Sequence, residues 1–135
     1  MSTLSELFKA NDLKTTPQRI AVYNTIKKYE HASTDMIIET VKKQYPSISS
    51  ATVYNILESL TEKNIVKVLL SADTKRFFDI HTDSRCHLYS PEKGKYQNIE
   101  DPALMELIRN YLAEHPIDKF DIEGIELTVT GKFRK

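Results

Sequence analysis

The 135 residues predict an α+β chain: an N-terminal winged helix-turn-helix over residues 1–80, then a small α/β unit over residues 85–135, with a hinge at 81–84. Three observations carry this reading. The first eighty residues contain no glycine and repeat apolar residues at helical spacing. The segment NIVKVLLSADTKRFFDI then alternates around the polar turn Ser71-Ala72-Asp73-Thr74, the pattern of a β-hairpin. Beyond it, strand-like and helix-like segments share the remaining residues with the chain's glycines, Gly94, Gly124 and Gly131.

Each element has a local cause. Thr16 is suited to cap a helix that opens with Pro17 at its first position, and Ile20, Tyr23 and Ile26, with Val22 and Tyr29, form its inner face. Ser33 caps the next helix, whose Ile37, Ile38, Val41 and Tyr45 face inward before Pro46 ends it. In SISSATVYNILESLTEKNIV, Val53, Ile56, Leu57 and Leu60 fall at i, i+3, i+4 and i+7, so that stripe packs inward. With it turned in, Ala51 and Asn55 point away from the core, flanked by Ser50 and Tyr54 on one side and Thr52 on the other. In the second unit KYQNIE reads as a strand. Pro102 to Glu114 reads as a helix with Leu104, Leu107, Ile108, Tyr111 and Leu112 inward. KFDIEGIELTVTGKF reads as a strand alternating Phe120/Ile122 and then Leu127/Val129, with a bulge or turn at Gly124. So small a sheet needs a partner to cover it, and a second copy of the chain is the simplest one.

Charge alone decides little. Lys and Arg (19) balance Asp and Glu (19), with 11 against 9 in residues 1–80 and 8 against 10 in residues 81–135. Nucleic-acid binding depends on a local basic face rather than on that sum. The single cysteine, Cys86, excludes an internal disulfide framework, and no run is apolar enough for a signal peptide or membrane span. A soluble cytoplasmic protein is the default expectation. No nucleophile–base pair, phosphate loop or paired carboxylates mark an enzyme.

The 49–64 helix has two readings. Ser49 or Ser50 caps it and Tyr54 covers neighbouring core; or its small, hydroxylated first turn approaches a DNA groove, where Ser50 and Thr52 meet phosphate and Tyr54 and Asn55 reach base edges. The hairpin favours the second, because Lys67, Lys75 and Arg76 can line a wing against the DNA backbone while Lys14 and Arg19 stand at the first helix.

LKTTPQR, HASTDMI, SSATVYNIL and KRFFDIHTDSRCHLY follow one another in the order and spacing of the ferric-uptake and peroxide regulator family, which the chain resembles over nearly its whole length. ATVYN after a serine-rich start is the most distinctive piece. The resemblance implies an N-terminal unit that binds double-stranded DNA at an inverted-repeat operator, a C-terminal unit that forms a homodimer, and bound metal ions. It places a structural zinc in two CxxC pairs, but here the first pair falls on Ser90 and Lys93, and the second begins at Phe133 with the chain ending before its last position. Serine, lysine and phenylalanine cannot replace thiolates, so no structural four-cysteine zinc is expected.

The resemblance also implies a regulatory site for Fe, Mn or Zn. His31, Asp79 and His87 match three of its positions, Arg85 replaces a usual histidine, and Asn98 a usual carboxylate. His81, Cys86, Glu100 and Asp101 are further candidate ligands. Each has a plainer reading: His31 a loop histidine near a cap, Asp79 a surface carboxylate, His87 a strand residue, Cys86 a small apolar filler, and His115 a bond to a carbonyl at its helix end. Two functions follow: a metal- or redox-responsive dimeric transcriptional regulator, or a protein-interaction module or metal-independent regulator whose metal positions are relics.

Overall fold

In the computed structural model, which describes residues 3–71 and 73–135, the chain divides into two compact units, Met1–Thr82 and Asp83–Lys135.

The first unit opens with α1 (Leu4–Ala10), held by a capping box in which Thr3 and Glu6 satisfy each other's backbone N–H groups. Helix α2 (Pro17–Tyr29) starts where the Thr16 hydroxyl accepts from the Arg19 N–H, with Pro17 in its first turn. The two-residue strand β1 (Ala32–Ser33) leads into α3 (Thr34–Gln44), capped by Ser33. Helix α4 (Ser50–Glu62) is capped by Ser49, whose hydroxyl accepts from the Thr52 N–H and bonds the Thr52 hydroxyl at 2.9 Å. Strands β2 (Lys67–Leu70) and β3 (Arg76–Asp79) form the hairpin. In its turn the Ser71 hydroxyl accepts from the Lys75 N–H and Thr74 takes φ +66; Ala72 lies outside the described residues. The sheet runs β1-β3-β2, so β3 is central and β2 is an edge.

Core residues come from every helix: Phe8, Val22, Ile26, Ile37, Val41, Val53, Leu57 and Leu60 are buried in one cluster. Burying such a side chain stabilises the fold by roughly 1.5–3 kcal/mol, so the four-residue stripe of α4 alone anchors that helix firmly. Tyr23 packs edge-on against Phe8, and its burial pushes the phenol above its ordinary range. Of the two further positions expected on the inner face of α2, one needs correcting. Val22 is fully buried, whereas Tyr29 is exposed at the helix end with Lys28 over its ring, because the core-facing stripe is spent one turn earlier, at Thr25 and Ile26.

The second unit pairs β4 (Cys86–Ser90) antiparallel with β5 (Lys95–Asn98) and parallel with β6 (Leu127–Thr130), giving the order β5-β4-β6. Gly94 turns the β4–β5 hairpin at φ +58, a conformation that L side chains resist. Helix α5 (Pro102–Glu114) is capped by Asp101 and closed by His115, whose Nδ1 lies 2.9 Å from the Tyr111 carbonyl oxygen. Its packing differs from the expectation. Met105 is the buried residue and Leu104, Ile108 and Leu112 are half-buried, but Leu107 and Tyr111 are 67% and 59% exposed. The apolar face of the helix is broader than its own unit covers, and the Leu107 and Tyr111 edge of it is left open. Likewise the expected strand at Phe120 and Ile122 is absent. Both side chains are exposed, and regular pairing begins only at Leu127, after the Ile125 N–H has bonded the Ser84 hydroxyl.

Candidate nucleic-acid interface and metal centre

Every residue singled out for DNA lies in the first unit. On α4 the buried stripe leaves Ala51, Tyr54 and Asn55 exposed, with Tyr54 open over 52% of its surface. That exposure removes the reading in which Tyr54 merely covers core. Ser49 is the cap and engages Thr52, which leaves the Ser50 side chain out of the cap bonding. At the N-terminal end of α2 the Arg19 guanidinium donates to the Lys14 carbonyl oxygen at 2.8 Å, so a hydrogen bond joins these two basic residues. Lys75 and Arg76 are exposed on the hairpin, and Arg76 lines one recess together with Tyr54 and Asn55.

His31 is delivered by a strained turn. Glu30 sits at φ +63, ψ −53, and the His31 N–H donates to the Tyr29 carbonyl at 2.6 Å across it. This φ-positive three-residue turn is rare, and such a conformation costs of order 1–3 kcal/mol. The next residue enters β1, whose register sets Ala32 against Phe78 and Ser33 against Phe77. Extending that antiparallel register by one residue puts His31 beside Asp79. The His31 Nε2 lies 3.5 Å from Asp79 Oδ2, with both side chains buried. The other carboxylate oxygen, Oδ1, accepts from the His81 N–H at 2.9 Å. The plain reading of Asp79 therefore fails: it is 1% exposed and is no surface carboxylate.

In the second unit His87 occupies central strand β4, between Asn98 of β5 and Thr128 of β6, and is fully buried with its ring edge-on to Tyr96. Cys86 is buried beside it. The remaining candidate ligands differ in kind. Asp101 spends a carboxylate oxygen on the cap of α5, and His81, Glu100 and Asp101 are exposed. Arg85 is held by Asp83 at 3.1 Å. The positions expected for a first thiolate pair are instead built into a turn, with the buried Ser90 hydroxyl accepting from the Lys93 N–H.

Sequence reading missed β1, the element that joins His31 to Asp79. A two-residue strand has no periodicity to detect; the available signal was Phe77, Phe78 and Ile80, strand-forming residues that need a pairing partner on either side.

The profile of the Ferric uptake regulator family matches residues 10–130. The Peroxide-responsive repressor PerR of Staphylococcus aureus (strain Mu50 / ATCC 700699) is 32% identical over 120 residues, covering 88% of this chain and 79% of that protein. Among solved structures, the Campylobacter jejuni peroxide stress regulator aligns at TM-score 0.74 and 27% identity, covering 99% of this chain and 98% of that one. The Vibrio cholerae ferric uptake regulator aligns at TM-score 0.82 and 19% identity, over 97% and 100% of the two chains, a likeness of fold. The chain therefore belongs to the ferric uptake regulator family of metal-responsive, DNA-binding transcriptional regulators.

Proposed function

We propose that the chain is a homodimeric repressor that reads an inverted-repeat operator with α4 and the β2–β3 wing, under the control of a divalent metal ion. The observation that carries the DNA reading is the outward face of α4: Tyr54 and Asn55 stand exposed on a helix whose opposite face is wholly buried, with Arg76 of the wing on the same recess. Arg19, Lys14, Lys75 and Arg76 supply phosphate contacts, which set affinity and register, while Tyr54 and Asn55 reach base edges, which set sequence. Ser50 and Thr52 stand in the first turn of α4, where backbone N–H groups favour an anion. Residues 83–135 form the dimer, through the apolar side of α5 that one unit leaves open.

For the metal, the donor set fits a borderline ion. An imidazole nitrogen and a carboxylate oxygen already stand 3.5 Å apart in a buried setting, and nitrogen with oxygen donors suits Fe(II), Mn(II) or Zn(II). His31, Asp79 and His87 are the residues that would hold it, and the ion would supply a positive charge shared among them. The hydrogen bond from His81 fixes the carboxylate of Asp79, the outer support that ligating carboxylates require. The chain's one cysteine cannot furnish a four-thiolate zinc site.

A titration of random duplex DNA at two salt concentrations tests the DNA reading. A regulator shows background affinity that falls as salt rises. Absence of any salt-dependent binding would refute it in favour of a protein-interaction module.

A further inference from the structure

Between α4 and the hairpin the first unit holds a recess of 950 Å³. The α4 wall presents Tyr54, Glu58 and Glu62; the opposite wall presents Val68, Leu70 and Arg76. The pairing of Val68 with Phe78 and of Leu70 with Arg76 puts those four side chains on one face of the hairpin, while Leu69 and Phe77 are buried on the other. Val68 and Leu70 are 39% and 66% exposed, and they lie on β2, the edge of its sheet. An edge strand with outward apolar side chains invites an added strand.

Arg76 on its wall can meet a phosphate, but a phosphodiester backbone seated in the recess itself would also meet Glu58 and Glu62, which repel it, and would gain nothing from Val68 and Leu70. We infer that the recess between α4 and β2 is a docking site for an extended peptide segment of a partner protein, apolar at alternate positions and carrying a Lys or Arg opposite Glu58 and Glu62. Such a segment adds to the β2 edge by main-chain hydrogen bonds and drops every second side chain into the recess, the apolar ones over Val68 and Leu70. A helix would leave the strand edge unused. Because Tyr54, Asn55 and Arg76 border the same recess, the bound segment covers part of the DNA-reading surface and displaces DNA; that last step rests on the function proposed above.

The probe is a capped, fluorescent seven-residue peptide with Val, Val and Lys at alternate positions and Ser at the others, titrated with the full chain. Saturable binding is expected, weakened about fivefold when the peptide Lys becomes Glu, and lost in the double variant Val68→Ser, Leu70→Ser. The single variant Leu70→Ser, at a side chain already mostly in solvent, gives a partial loss and guards against unfolding, which circular dichroism checks. No binding at millimolar protein, equal binding of the Lys and Glu peptides, or undiminished binding by the variants overturns the inference. Self-association that the Leu70→Ser change abolishes, without peptide binding, overturns it in favour of a second copy in the recess. In the DNA arm, added peptide should release labelled duplex from the wild-type chain. Peptide binding by a chain that never binds duplex leaves the docking site standing and removes the DNA reading alone, whereas duplex retained at saturating peptide overturns the displacement.

Discussion

Tyr54 and Arg19 belong to the same unit yet should respond to mutation in opposite ways. Tyr54 is an exposed aromatic on α4, able to meet base edges or thymine methyls; Arg19 is a guanidinium at the start of α2, bonded to the Lys14 carbonyl. Tyr54→Ala is expected to weaken operator binding by about 1–3 kcal/mol and leave random-duplex affinity nearly unchanged. Arg19→Ala should lower both affinities and flatten the salt slope, since a phosphate contact carries no sequence information. Paired gel-shift titrations decide: equal losses on both duplexes for Tyr54→Ala, or an unchanged slope for Arg19→Ala, would reverse those roles. The outward placement of Tyr54 was legible in the sequence, for it follows from the buried stripe at Val53, Ile56, Leu57 and Leu60. The burial of Asp79 was not. A carboxylate at the end of an alternating strand reads as surface, and only its pairing through β1 places it inside, beside His31.

Among the elements, α5 shows why the second unit was harder to read than the first. A helical wheel scores apolar residues without asking which neighbour covers them. In α4 a single apolar stripe meets a single core, so the reading holds; in α5 Met105 is buried while Leu107 and Tyr111 face solvent. The same holds beyond it, where Phe120 and Ile122 alternate as a strand would and lie exposed outside any strand. The exposed Leu107 and Tyr111 are the surface proposed above for the dimer. Leu107→Glu combined with Tyr111→Glu should raise the dimer dissociation constant at least tenfold, about 1.4 kcal/mol, while excess EDTA leaves the wild-type dimer intact. Analytical ultracentrifugation checks both arms. A chelator-sensitive dimer would point to a metal holding the copies together, and an unperturbed variant dimer to another surface.

On the scale of the whole molecule, the proposed ligands come from both units, His31 and Asp79 from the first and His87 from the second. An ion taking all three would bias the arrangement of the DNA-reading surfaces only by its differential affinity for one arrangement, and a tenfold effect on operator binding corresponds to about 1.4 kcal/mol of coupling. Added Mn(II), Fe(II) or Zn(II) is therefore expected to tighten operator binding about tenfold or more, and His87→Ala to abolish that response while the protein stays folded. Operator affinity that is the same in EDTA and in saturating metal would leave a metal-independent regulator, with Arg85 and Asn98 as the substitutions that silenced the site. The sheet of the second unit has a different consequence, in time rather than in space. Its central strand pairs in parallel with β6, and the Ser84 and Ile125 that adjoin that pairing are 41 residues apart. Closing so long a loop is entropically costly, but the first unit closes one as long between β1 and β3, so what separates the two units in time is their order of synthesis. A chain emerging from the ribosome can thus fold its helices and hairpin before β6 exists to complete the other sheet. On the function proposed above, the nascent chain then holds a finished DNA-reading unit without the means to pair it, and its grip on an operator is that of a single half-site.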